Sequence, residues 1–166
     1  MKITSIKTAN FSKDFCIVTV DNGKSEYIFR VIDIGQLPFH PGEVINPKNH
    51  ILLKISSAVS VLKPDIFRYL SFRMRTKGEV RNYISTRITR NIYTKRDDYS
   101  KEELAEIQNI IITSLSENHY LDDKKFINLY TQNNNSRKYP YGMIKIRNDL
   151  RQKRYFRRRY RCRIKG

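Results

Sequence analysis

The sequence predicts a mainly α fold: three-helix repeat units, one complete and one incomplete, preceded by a small antiparallel β-hairpin region. Three observations carry this. The hydrophobic period changes from about two to about three and a half near Ile51. An Asn22-Gly23 pair joins two β-rich runs, a strong hairpin signal because both residues tolerate positive φ. Two boxes of the form Ser/Thr-x-x-Glu, Thr76 to Glu79 and Ser100 to Glu103, mark helix starts.

Taken in order, residues 15–20 and 25–31 are the hairpin strands, and Ile3 to Thr8 supplies a third. Three prolines and two glycines between Asp33 and Lys48 break regular structure. Within that stretch Pro41-Gly42 is read as a tight turn into a short strand at 43–45. A first helix follows from Ile51, with Leu52, Leu53, Ile55, Val59 and Leu62 on its apolar side. Pro64 interrupts it, and because proline is well tolerated as the first helical residue a new helix is placed from Pro64 to about Arg73. That helix is expected to turn Ile66, Phe67, Leu70 and Met74 inward.

Thr76 and Glu79 cap the next helix, whose apolar face carries Val80, Tyr83, Ile84 and Ile88. Ser100 and Glu103 cap the one after, with Tyr99 and Leu104 at the spacing of a hydrophobic staple and Leu104, Ile107, Ile111 and Leu115 as its core stripe. Asp122 is placed as an N-cap and Asp123 as a first-turn acid, with Leu121 and Phe126 as a second staple. The helix that follows carries Phe126, Leu129 and Tyr130 into a polar loop at 132–136. Pro140 opens a last helix with Met143, Ile146 and Leu150 inward. The aliphatic pairs Val80/Ile84 and Ile146/Leu150 stand at equivalent points of two similar segments, which hints at a repeat of about 50 residues or more. The resulting division is 1–50 β extension, 51–117 first helical repeat, 118–152 incomplete second repeat and 153–166 basic tail.

Charge indicates the class of partner. The net charge is +17, but its distribution is uneven: +1 over residues 1–50 (six basic, five acidic), +7 over 51–100 (eleven and four), zero over 101–150 and +9 over 151–166. Localised basic charge attracts polyanions without sequence preference, so nucleic acid or a nucleic-acid-coated assembly is the expected partner. The basic segment lacks the broad apolar face of a membrane-surface helix. No apolar run is long enough to span a bilayer and the N-terminus lacks a signal-peptide core, so a cytoplasmic location is expected. Cys16 and Cys162 are expected as free thiols, and His40, His50 and His119 are too scattered for a zinc site. No Gly-rich phosphate loop or nucleophile constellation is present, and the acid pairs Asp97/Asp98, Glu102/Glu103 and Asp122/Asp123 fit turns and caps. The reading is a non-enzyme, without cofactor or metal.

Two stretches carry a family resemblance. Phe67-Arg68-Tyr69-Leu70-Ser71-Phe72-Arg73-Met74-Arg75-Thr76-Lys77-Gly78-Glu79-Val80-Arg81 resembles the first-repeat signature of the RecX family of recombination regulators. Leu115 to Phe126, with its Tyr120-Leu121-Asp122-Asp123 core, resembles a second signature of that family. The hairpin and the 37–45 turn look like the β extension of Gram-positive members. The resemblance implies a modular protein, not an enzyme, that lodges in the groove of the RecA filament on single- or double-stranded DNA and restrains it, acting as a monomer. The basic residues of the middle segment, Arg68, Arg73, Arg75, Lys77, Arg81, Arg87 and Arg90, are the expected contacts to filament or phosphates. A structural alternative is that some of these pair with Glu79 and Asp65.

Past Leu150 the chain departs from the family pattern. Arginine leads lysine seven to two there, whereas before it lysine leads fourteen to ten. The tail is read either as the remnant of a truncated frame or as a nucleic-acid arm using Arg154, Arg157, Arg158, Arg159 and Arg161 beside the stacking aromatics Tyr155, Phe156 and Tyr160. The alternative function is therefore a general nucleic-acid-binding module acting through the basic middle segment and this tail.

Overall fold

The structure is a computed structural model, and it describes residues 1–35, 37, 39–90 and 99–153. The chain falls into two compact units, one built from Met1–Asp65 and Ser85–Ile111, the other from Ile66–Ile84 and the chain from Ile112 onward. The described elements are strands β1 (Ile3–Thr8), β2 (Phe15–Val20) and β3 (Ser25–Arg30), and helices α1 (Val31–Ile34), α2 (Pro47–Ser71), α3 (Lys77–Arg90), α4 (Lys101–Glu117), α5 (Asp123–Asn135) and α6 (Met143–Gln152). The expected class, mainly helical with a small antiparallel sheet, is what forms.

In the first unit the sheet is an antiparallel meander in the order β1-β2-β3, with Ile3 opposite Val20 and Phe15 opposite Arg30. Alternate β2 residues Cys16, Val18 and Val20 point into a core with Ile3, Phe29, Phe39, Ile45 and Leu53. The β2–β3 turn takes positive φ at Asp21, Asn22 and Gly23 (50°, 54° and 95°), the conformation anticipated from Asn-Gly. Asp21 also folds the turn back on β1, its carboxylate accepting from the Lys2 amide at 2.7 Å. The expected strand at 43–45 is reduced to a single bridge, Lys2 to Val44. Burial raises the pKa of the Cys16 thiol, which points its sulfur at the Phe29 carbonyl (3.5 Å).

The outer edge of β3 would expose unpaired backbone groups. Two buried serines of α2 occupy it: Ser57 donates to the Ile28 carbonyl (2.7 Å), and Ser60 accepts from the Arg30 amide (2.9 Å). Ser60 in turn donates to Asp33 (2.6 Å), which also holds Lys63 (2.9 Å). Helical spacing of i, i+3 thus matches groups two residues apart on the strand, and these two edge groups are satisfied by side chains.

Several expectations about the helices need correction. Pro64 does not begin a helix; it lies inside α2, which runs unbroken over 25 residues from Pro47, with the Asn46 side chain capping the Asn49 amide (2.8 Å). Proline forfeits one ladder bond, but Leu62 before it and Ile66 after it are both fully buried, and their burial offsets that loss. Phe67, Met74 and Met143, expected inward, are exposed, as are Leu52 and Leu129. The helical stripe of each segment is narrower than its count of apolar residues. Phe67 instead sets its ring edge-on against Tyr120, with centroids 5.3 Å apart.

In the second unit, Phe126, Ile146 and Leu150 form the core between α5 and α6, flanked by Ile127 and Tyr130. The Tyr130 hydroxyl donates to Asp149 (2.8 Å). The polar tract 132–136 is not a loop, because α5 continues through Asn135. Its Asn134 is buried and makes two bonds to the Tyr141 backbone, so a residue with poor helix propensity is retained by a tertiary partner. Pro140 precedes α6 rather than opening it; the N-cap is Gly142. Helix α4 ends in a Schellman motif, with Tyr120 N–H to Leu115 C=O at 2.8 Å and His119 N–H to Ser116 C=O at 3.1 Å. His119 takes the left-handed position at φ 59°.

Candidate functional site

The residues of the first signature stretch meet at the N-terminus of α3, within the second unit. The capping box forms as the spacing predicts: the Glu79 amide donates to Thr76 Oγ1, and the Thr76 amide to Glu79 Oε2, both at 3.1 Å. Thr76 is fully buried, and its hydroxyl also donates to the Lys153 carbonyl at 2.8 Å. One hydroxyl thereby satisfies an orphan donor of α3 and a carbonyl at the end of α6.

Glu79 collects charge as well as amides. Arg73 reaches it through two bonds (2.7 and 3.3 Å), and Lys153 Nζ lies 3.7 Å away. Burial alone would raise its pKa; the bonds from Arg73 and the Thr76 amide, with the charges of Arg73 and Lys153, outweigh that and hold it below the ordinary glutamate range. A third element enters through Asp123, which accepts from the Lys77 amide at 2.9 Å. Asp122 meanwhile caps its own helix through the Lys125 amide (2.9 Å). The adjacent aspartates therefore terminate two different helices, and sequence reasoning found only the local one. The trans cap gives no signal in the sequence, since its partner is 46 residues away.

The other capping box, at Ser100 and Glu103, also forms, with Glu103 to Ser100 contacts of 2.8 and 3.2 Å. Glu103 holds Lys54 at 2.9 Å within the first unit.

The seven basic residues singled out from the middle of the chain divide in role. Arg73 pairs with Glu79 as above, and Arg87 pairs with Asp65 at 3.2 Å in the first unit, as the structural alternative anticipated. Arg75 lays its guanidinium over the Tyr69 ring, 4.0 Å from the centroid, and Tyr69 stacks flat on Tyr83 at 4.0 Å. Such a stack holds the cation in place through the ring quadrupole. Lys77 and Arg81 lie one turn apart on α3, half-buried. Arg68, on the last turn of α2, is exposed, and neither it nor Lys77 makes a side-chain ion pair among the described residues. Arg90 ends α3. Tail residues Arg154, Arg157, Arg158, Arg159 and Arg161 lie outside the described residues.

Lys153 was not anticipated, although it ties α6 to the capping box through both backbone and side chain. Among the described residues no group of three or more His, Cys, Asp or Glu could hold a metal ion. No described helix is long and apolar enough to cross a membrane.

No protein-family model matches the chain, and no curated protein matches its sequence. A solved structure described as "Crystal structure of regulatory protein RecX" is similar, with a TM-score of 0.56 at 19% identity over 92% of this chain and 66% of that one. The chain thus spans just under two thirds of that protein's length. The likeness is one of fold: this chain has a RecX-like arrangement of helices headed by a small antiparallel sheet.

Proposed function

We propose that this protein is a regulator of homologous recombination and DNA repair that binds the RecA filament on DNA and restrains its activity, without itself catalysing a reaction. The observation that carries this is the RecX-like fold over 92% of the chain. The two sequence stretches that resemble the family's signatures support it, since their capping residues Thr76, Glu79 and Asp122 act as caps.

In this reading the chain is a monomer in the cytoplasm, divided into the β extension, one complete repeat, one incomplete repeat and the basic tail. The contact set is Arg68, Arg75, Lys77, Arg81 and Arg90, with Arg73 and Arg87 partly neutralised by Glu79 and Asp65. Arg68 and Lys77 are the strongest members, because a cation not engaged within the protein has most to gain from a phosphate or carboxylate of a partner. Sub-stoichiometric protein is expected to slow RecA's DNA-dependent ATP hydrolysis and strand exchange, with Arg68→Gln/Lys77→Gln weakening the effect. Unchanged ATP hydrolysis over a broad titration overturns the proposal.

A further inference from the structure

The connection between α5 and α6 has no part in the joint described above, yet it is built. Asn134, buried near the end of α5, holds the backbone of Tyr141 at two points: Oδ1 accepts from the Tyr141 amide at 2.9 Å, and Nδ2 donates to the Tyr141 carbonyl at 3.3 Å. From this held backbone the loop displays aromatic and basic groups together. Tyr139 is 78% exposed and Tyr141 is 42% exposed. Arg137 lies over the Tyr141 ring at 4.6 Å from its centroid, Lys145 approaches the same ring at 5.8 Å, and Lys138 stands 5.6 Å from the Tyr139 ring. Between Ser136 and Asn148 there are four cations, Arg137, Lys138, Lys145 and Arg147, and no acid. Asp149, the next acid, is occupied by Tyr130 and by Lys145 at 3.4 Å.

We propose that this loop is a binding platform for single-stranded nucleic acid, with Tyr139 and Tyr141 stacking on unpaired bases and Arg137, Lys138 and Arg147 meeting the phosphates. Exposed rings interleaved with unopposed cations suit a ligand that offers flat faces and a phosphate at every step. A duplex hides its base faces in the stack, so rings that bind by stacking gain only the backbone charge around them from it, and the platform discriminates strandedness. An anionic membrane surface is a poorer match: Met143 and Ile144 beside the loop are also exposed, but they are two side chains on a helix of only ten residues, a smaller apolar face than a membrane-surface helix presents. The inference concerns a site distinct from the contact set proposed above and does not depend on RecA.

The test uses the full chain and fluorescence anisotropy with labelled oligo-dT of about 20 nucleotides beside a duplex of the same length, at two salt concentrations. Residues 154–166 are the same in the wild type and in every variant, so the change in the ratio of the two affinities from wild type is the readout. Tyr139→Ala/Tyr141→Ala is expected to weaken oligo-dT binding by about tenfold or more, from the loss of one or two base stacks, and to leave duplex binding within about twofold. Tyr139→Phe/Tyr141→Phe should restore the wild-type ratio, since the ring and not the hydroxyl stacks. Tyr139→Ala alone, at the more exposed of the two rings, guards against loss of folding and should give part of the effect. Wild-type oligo-dT affinity in the double alanine variant overturns the proposal, as does an equal loss on both probes. Binding to phosphatidylserine vesicles in place of oligo-dT overturns it in favour of a membrane surface. No RecA is present in these measurements, so their failure leaves the filament reading to its own test.

Discussion

Replacing Thr76 by valine is the sharpest test of the joint at the start of α3. Valine keeps the volume and β-branching of threonine, so no cavity forms at this fully buried position. What is lost is the hydroxyl, and with it the bond from the Glu79 amide at 3.1 Å and the bond to the Lys153 carbonyl at 2.8 Å. An N-cap is worth about 1 kcal/mol, and stranding a buried polar partner costs about 1–3 kcal/mol. The combined destabilisation is expected at about 2–4 kcal/mol. Thr76→Ser, which keeps the hydroxyl and loses a methyl, should cost only about 1 kcal/mol. Urea unfolding followed by far-UV circular dichroism measures both. If Thr76→Val falls within about 0.5 kcal/mol of wild type, or if Ser proves worse than Val, the double role assigned to the hydroxyl is refuted.

The depressed pKa of Glu79 makes the stability of the same joint pH-dependent. Its folded pKa lies below its unfolded value, so the contribution is fully present above the ordinary glutamate range and is lost as pH falls through the depressed folded value. Thermal melts from neutral pH down to about pH 3 should show a loss that Glu79→Gln, already weaker at neutral pH, shows less steeply; identical slopes would remove Glu79 from the account. His119 occupies the left-handed position of the Schellman motif without being glycine. His119→Gly should therefore raise stability by about 0.5–1 kcal/mol, seen as a rise of a few degrees in Tm, and a lowered Tm would contradict the strain argued there.

Much of the local structure was legible because it is written at short spacing. Asn22-Gly23 announced a turn whose residues do take positive φ, and Thr76/Glu79, Ser100/Glu103 and Asp122 announced caps that all form. The misreadings came where a local rule was weighed without its tertiary counterweight. Pro64 breaks a helix by local preference, but burial on both sides of it keeps α2 continuous. The Asn-rich tract favours a loop, but Asn134 finds the Tyr141 backbone and α5 runs on. Among the basic residues, which arginine is engaged and which is open was not readable, because Arg73 and Glu79 meet around a turn and Arg87 and Asp65 come from different helices.

By itself, then, the sequence determined the helical class, the β meander, the capping residues and the basic character, each of which depends on residues within a few positions of one another or on composition alone. Only the tertiary structure decided that Asp123 caps α3 from 46 residues away, that Ser57 and Ser60 close the edge of β3, and that Lys153 is tied to Thr76 and Glu79. The physical reason is the same in each case. A hydrogen bond between distant residues forms only where apolar burial has already brought their elements together, and no spacing along the chain records that meeting.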